Sequence, residues 1–409
     1  MGVERTLASP RNVFEIRRRG KHFLPFSRLK RIGDRCYGAA VHTGDRMTER
    51  DRFNAFLHDR PVDRIPDFEF WFWDATLARW VGEGMPAELA GGDRRKLCEY
   101  FGMDFIDGLP IRTRFVREPR QTVIAESDDT VTVLSELGET IVTFKPGRGE
   151  SIPTHLSYAI RTHDDWRRVR DEFLPLDVAA RLPPNWAEVE ARCSGSRDFI
   201  LNTPQMGFYG ILRNWMGVEE ISVAFAEDPD WIAEMMDHLL DIYLRVSRFI
   251  VDRGIRPDLS GWWEDMCYNH GPLISPAMFR EFLVPRYRQV TDFWRAHGVD
   301  RAVVDSDGNI HALAPLWIEA GIQILLPCEA AHTDTLRLRR ENPDAFLMGG
   351  VDKRALARGR AAIDAELERV RRIMDFGRFM PHVDHLVPPD VPLADYLYYR
   401  ERKCALLER

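Results

Sequence analysis

The sequence predicts an α/β protein built as a (β/α)8 TIM-type barrel with a small antiparallel β insertion. Three observations lead there. The C-terminal half alternates strand-like and helix-like stretches at least five times, which implies parallel strands joined by crossover helices. The 409 residues accommodate such a barrel, which takes about 250 or more. No GxGxxG follows a strand, which disfavours the dinucleotide-binding form of the alternative, a doubly wound open sheet.

The elements follow in order. Residues 1–46 hold 11 Lys and Arg against 4 Asp and Glu, a net of +7 that leaves −14 for the remainder. This stretch has no clean amphipathic period. It reads as a basic N-terminal extension: a disordered arm, a transit peptide, or upstream sequence translated from a misplaced start. The barrel domain is expected over 47–409. After Met47, Thr48 is placed as an N-cap with Asp51 three residues on, and Phe53, Phe56 and Leu57 follow at helical spacing. In "DRIPDFEFWFWD", Pro66 breaks the helix and the aromatic run reads as a buried strand. Over 113–160, the runs "TVIAES", "VTVLSEL" and "TIVTFK" are β-rich and divided by turn residues, which predicts the antiparallel insertion. "DPDWIAEMMDHLLDIYLRVSRFIVDRG" is a capped helix closing at Gly254. The repeat then sets in. "IRPDLSGWWED" is a strand, and "SPAMFREFLVPRYRQVTDFWRAHG" a helix kinked at Pro285. "DRAVVDSD" is a strand and "NIHALAPLWIEAG" a helix. "IQILLPCE" is a strand and "HTDTLRLRREN" a helix. "AFLMGGVD" is a strand followed by two short helices, and "RFMPHVDH" a strand before a closing helix from about residue 392.

Composition narrows the function. The chain is 44% hydrophobic and 30% charged, with a formal charge of −7, which argues against a nucleic-acid partner. No apolar run approaches the roughly 18 residues of a membrane span. The six cysteines are scattered without a CxxC pair and read as reduced thiols of a cytoplasmic protein. Cys267 and Cys328 are treated as small apolar residues.

Active sites of such barrels form where strands end, and here those ends carry acids: Glu264 and Asp265, Asp305 and Asp307, Glu329, Asp352, Asp384 with His385. Helix capping accounts for Asp352. It accounts less well for Asp305 and Asp307 together, since one helix needs one cap, or for Glu329 after Pro327 and Cys328. Converging carboxylates repel and need protons, a cation or a cationic substrate. A metal, proton-sharing acids, and caps that never converge all stay open at this point. Catalytic roles are expected of Glu264, Asp265 and Glu329. Substrate contacts are expected from Trp71, Trp73, His270, Asn309 and Asp384. Asp305, Asp307 and His385 are the expected metal ligands, converging on one point at the barrel mouth.

At these residues the chain resembles the uroporphyrinogen decarboxylase superfamily. The resemblance runs from about Met47 to the end and rests on "MTERDRFNAFLHDRPVDRIP", "LISPAMFREFLVPRYRQV" and "DSDGN…GGVDK…DHLVPPDVPLADY". It implies a (β/α)8 barrel. Where the decarboxylases carry an Arg-rich motif that grips substrate carboxylates, this chain has the acidic, aromatic "DFEFWFWDATLARW". The other branch contains methyltransferases serving corrinoid proteins, whose zinc is held by an HxC pair and a later Cys. Those slots look like Asp305-Ser306-Asp307 and His385 here, a carboxylate and imidazole set suited to a harder divalent metal, zinc or another. The resemblance therefore implies a methyltransferase-like enzyme acting on a small molecule, with a corrinoid on a partner protein or a related carrier. A decarboxylase of a tetrapyrrole or other acid, and a non-catalytic ligand-binding barrel, are the alternatives.

Overall fold

The computed structural model describes residues 47–145, 153–195 and 197–408. The expected basic extension lies outside them. The helix Glu49–Leu57 starts at Thr48, whose hydroxyl accepts from the Asp51 amide at 3.0 Å. Its Phe53 and Leu57 are fully buried.

The first strand, β1 (Ile106–Gly108), is followed by β2 (Gln121–Glu126), β3 (Thr130–Ser135), β4 (Thr140–Phe144) and β5 (Thr154–Ser157), which pair antiparallel in that order. The chain then returns as β6 (Ile200–Asn202), parallel to β1 with Ile106 opposite Ile200. After β7 (Ser260–Trp263) comes a short hairpin, β8 (Cys267–Tyr268) and β9 (Gly271–Pro272). The rest alternates with helices: β10 (Ala302–Asp305), β11 (Ile324–Leu326), β12 (Phe346–Val351) and β13 (Phe379–Val383). β7, β10, β11, β12 and β13 form one parallel sheet in that order. Single parallel bridges, Asn202 to Leu259 and Met206 to Trp262, carry β6 onto β7.

One expected strand is only partly made. The aromatic run 68–73 is extended, but its main chain meets its neighbours at isolated points. The Asp104 amide donates to the Asp67 carbonyl at 2.8 Å, and Phe72 bridges Val387. Between them the Val383 amide donates to the Glu69 carboxylate at 2.9 Å, so a side chain takes the place of a ladder acceptor. Asp67 and Glu69 are themselves buried against Arg400 and Lys403 of the helix Leu393–Leu407. The segment is thus fixed by ionic contacts as much as by pairing.

Two cores result. One holds Phe53, Leu57, Phe68, Ile200, Leu259, Val303, Ile324, Phe346, Met348 and Met380, with Ile106 at its edge. Every parallel strand but β7 gives it at least one side chain, and Leu259 joins from just before β7. A second, larger core packs the helices on the outside. Since side chains two apart on a strand share a face, Asp305 lies on the Val303 face, one step nearer the strand end.

Two helices differ from expectation. Residues 279–283 form a wide π-helical turn before the helix Val284–Ala296, so Pro285 falls in a first turn, where its missing N–H leaves nothing unpaired. The helix expected from Asn309 begins only at Ala314, because the Asn309 side chain takes the His311 amide at 3.3 Å and holds a turn there. Among the described residues no helix is long and apolar enough to cross a membrane.

Candidate functional site

The acids of "VVDSDGN" gather where β7 and β10 end. Asp305 closes β10 and sits opposite Trp263, the last residue of β7. Asp265 follows two residues after Trp263 in a left-handed conformation, φ 41°, which aspartate tolerates better than most side chains. Arg213 holds that turn by donating to the Asp265 carbonyl at 2.6 Å. Beyond Asp305 the chain must turn back sharply, and Gly308 does so at φ 80°. A side chain there would meet the Cys267 carbonyl carbon and the Tyr268 amide at 2.8 Å, so the close approach itself demands glycine.

This geometry places ligand atoms of Asp265, Asp305 and Asp307 within 4.8 Å of one another. The Asp307 amide approaches Asp265 Oδ1 at 3.4 Å, while Asp307 Oδ1 is buried with no hydrogen-bond partner. His385, stacked on Phe70 at 4.9 Å, brings its Nε2 to 3.4 Å from Asp307 Oδ2. The electrostatics follow. Burial, then the charges of Asp265 and Asp307, push the Asp305 carboxyl well above the aspartate range. Burial and Asp307 raise Asp265 against the opposing pull of Arg213.

The expected ligand set is therefore rearranged. Asp305, Asp307 and His385 do come together, but Asp265, expected as a catalytic acid, completes the tight triple, and His385 touches it through Asp307. Reading Asp265 apart from Asp305 missed that β7 and β10 are neighbours.

Glu264 faces the other way. It is 0% exposed and accepts from the Phe208 amide (2.8 Å), the Gly210 amide (2.9 Å) and the Tyr287 hydroxyl (2.7 Å). Burial still raises its carboxyl to about 7, but its oxygens are committed to the 207–210 loop. Glu329 accepts from the Gly308 amide at 3.1 Å and lies 3.9 Å from Lys353 Nζ, so it braces the turn at the edge of the cluster. Asp384, raised to about 6 by burial, ties the amides of Ala330 (2.8 Å) and Lys353 (3.2 Å). Asp352 caps the helix Lys353–Leu356. Asn309 holds its own turn, and His270 is exposed beside Tyr268. Trp71 is half-buried under Arg94, at 4.1 Å, and Trp73 is half-buried at the start of the helix Asp74–Gly82.

Three residues next to the acids had no part in the expected site. The guanidinium carbons of Arg114, in the loop after β1, and of Arg213, on the helix Tyr209–Met216, lie 5.0 and 5.5 Å from the Trp263 ring. Arg114 fell inside the stretch read as the β insertion, and Arg213 on an unmarked helix. Trp263 was visible only as part of an apolar pair before Glu264.

A solved structure shares the fold. The chain matches a methyltransferase from Methanosarcina mazei with a TM-score of 0.60, over 88% of this chain and 98% of that one. This is a shared fold. At 16% identity the likeness reaches no further. A B12-independent methionine synthase from a Shewanella species, 8% identical, matches over 70% of this chain and 73% of its own at a TM-score of 0.32, too slight to carry weight. No family model and no curated protein matches.

Proposed function

We propose that the protein is a methyltransferase-like enzyme of the uroporphyrinogen decarboxylase superfamily, moving a methyl group to or from a corrinoid protein or a related carrier with help from a divalent metal. In this reading the parallel strands and the 68–73 segment close into a (β/α)8 barrel, with the acids at its mouth. The observation that carries it is the Asp265–Asp305–Asp307 triple with one buried oxygen unpaired. A carboxylate oxygen without a donor in low-dielectric surroundings is costly, and a cation answers it. The donor set fits: hard oxygens, with His385 beside Asp307, suit zinc, manganese or a similar ion. Asp265, Asp305 and Asp307 would hold it. When bound, such an ion acts as a Lewis acid on the group that gives or receives the methyl. The chain's own part is to orient that group over Trp263 and to exclude water with Phe70 and Trp263. The shared fold with a methyltransferase supports the barrel. A metal-free decarboxylase, with the raised aspartates as proton donors, is the second reading, and metal content separates the two.

The test is elemental analysis of the purified full chain after dialysis, joined to methyl transfer from methoxylated arenes to free cob(I)alamin kept reduced by an added reductant, with the phenolate leaving and methylcobalamin followed by its absorbance. About one divalent ion per chain is expected, lost in Asp307→Ala along with transfer. Wild type that holds no metal, and that gains none from zinc or manganese, would overturn the metal-assisted reading.

A further inference from the structure

The acidic cluster has a cationic neighbour far earlier in the chain, linked to it through Trp263, and it bears on what the site takes. Arg114 lies in the loop after β1 with its guanidinium 5.0 Å from the Trp263 ring. The side chain is half-buried, and burial lowers its pKa. Its one hydrogen bond is to a neutral amide oxygen, Gln205 Oε1, at 3.3 Å. Among the described residues no carboxylate pairs with it, although the chain's other arginines commonly find one. Glu264 and Glu118 act on it only from beyond ion-pair distance, so a half-buried guanidinium is left without a direct carboxylate partner.

Nor is the side chain placed by accident. The fully buried Arg181 donates to the Arg112 carbonyl (3.1 Å), the Arg114 carbonyl (2.8 Å) and the Pro175 carbonyl (2.6 Å). Phe115 stacks on Trp215 at 4.9 Å with planes 9° apart. Both neighbours of the Arg114 side chain along the backbone are thus fixed before any ligand arrives. Arg213, near the same indole, is already drawn toward Asp265, at 3.6 Å. Arg114 is the cation left over.

We infer that Arg114 is the recognition residue for a carboxylate on the substrate, which lies flat on Trp263 with its opposite end at the aspartate cluster. A carboxylate matches the planar fork of a guanidinium through two parallel hydrogen bonds, and a flat acid matches an indole face. The inference rests on the aspartate cluster being the reacting centre, as proposed above, but the binding it predicts does not need the metal.

The experiment is calorimetric titration of the full chain with benzoate and with its neutral analogue benzamide, in metal-loaded and chelator-treated protein. Wild type should bind benzoate about tenfold to a hundredfold more tightly than benzamide, the range of a charge-assisted contact. Arg114→Gln should lose that preference, and Arg114→Lys should keep part of it. Melting curves of both variants check that each is folded, and the lysine variant carries the test if the glutamine variant is not. Dependence on Arg114 in chelated protein upholds the inference even if no metal is ever held. Four results overturn it: no benzoate binding up to about 10 mM, well past the reach of one such contact; equal binding of the two probes; a preference unchanged in Arg114→Gln; or inorganic phosphate displacing benzoate with the same Arg114 dependence.

Discussion

Replacing Asp305 with asparagine should make the metal-free protein more stable at neutral pH. Ligand oxygens of Asp265, Asp305 and Asp307 lie within 4.8 Å of one another. Two full charges at that separation repel by about 3.5 kcal/mol at an effective dielectric of about 20, and three ionised carboxylates make three such pairs. The folded chain escapes by holding protons, so Asp305 and Asp265 are both raised, first by burial and then by each other's neighbours. A carboxyl with a raised folded value favours folding below its unfolded value, 3.8 for aspartate, and loses that contribution as pH climbs through the folded value. Keeping a proton on Asp305 at pH 7 costs at most about 4 kcal/mol, at about 1.36 kcal/mol per pH unit. Asparagine has the same shape and never ionises. It should return about 1–4 kcal/mol, or several degrees in Tm. The assay is a thermal scan in chelator at pH 7.5 and at pH 5.5, repeated with zinc or manganese. Asp305→Asn should melt above wild type at pH 7.5, and the gap should shrink at pH 5.5. Added metal should raise wild type and leave the variant nearly unmoved. A variant that melts below wild type at pH 7.5 would refute the reasoning, because Asp305 would then be a net stabilising partner and not a strained acid.

Gly308→Ala forces a Cβ to 2.8 Å from main-chain atoms of residues 267 and 268 at φ 80°. It should cost about 1–3 kcal/mol and blunt the metal-induced rise in Tm, both visible in the same scans. Glu264→Gln offers one acceptor oxygen to three donors and turns an NH2 toward amides; it should lower Tm by an amount worth about 1–3 kcal/mol, whereas Asp265→Asn should leave Tm equal or higher while weakening metal binding. Arg400→Met removes the two guanidinium hydrogen bonds to the fully buried Asp67 and should cost about 3–5 kcal/mol. Because Arg400 and Lys403 hold Asp67 far below its usual range, wild type should also lose stability as pH falls below about 4, an acid transition that an acid titration by circular dichroism reads directly.

The repeating units were legible because each needs only local signals: an apolar β-branched run, a turn, then an amphipathic stretch. "AVVD", "ILL" and "FMPHV" all became strands within a residue or two of their apolar limits. The aromatic run 68–73 was read as an ordinary strand because its defining contacts come from Arg400 and Lys403, which no local pattern reveals. The site was half legible for the same reason. Asp305 and Asp307 stand two apart in the chain, and His385 follows just after β13. That Asp265 belongs with them depends on β7 lying beside β10. That Glu264 does not depends on which way one residue of a strand end faces, and a single step along a strand reverses that. Arg114 carried no signal at all, since its place beside Trp263 is set by a loop tethered through Arg181.

The contact between Asp67 and Arg400 spans 333 residues. A ribosome delivering about 5–20 residues per second leaves the two carboxylates of the first extended segment without their cations for tens of seconds. Through that interval the nascent chain can assemble helices and neighbouring parallel strands, but Glu69 lacks Arg400 and Lys403 to fix the segment in place. Fixing of this segment is therefore postponed until the helix Leu393–Leu407 emerges, and a polypeptide released before residue 400 should remain a substrate for chaperones and proteases, however much of its sequence is already present.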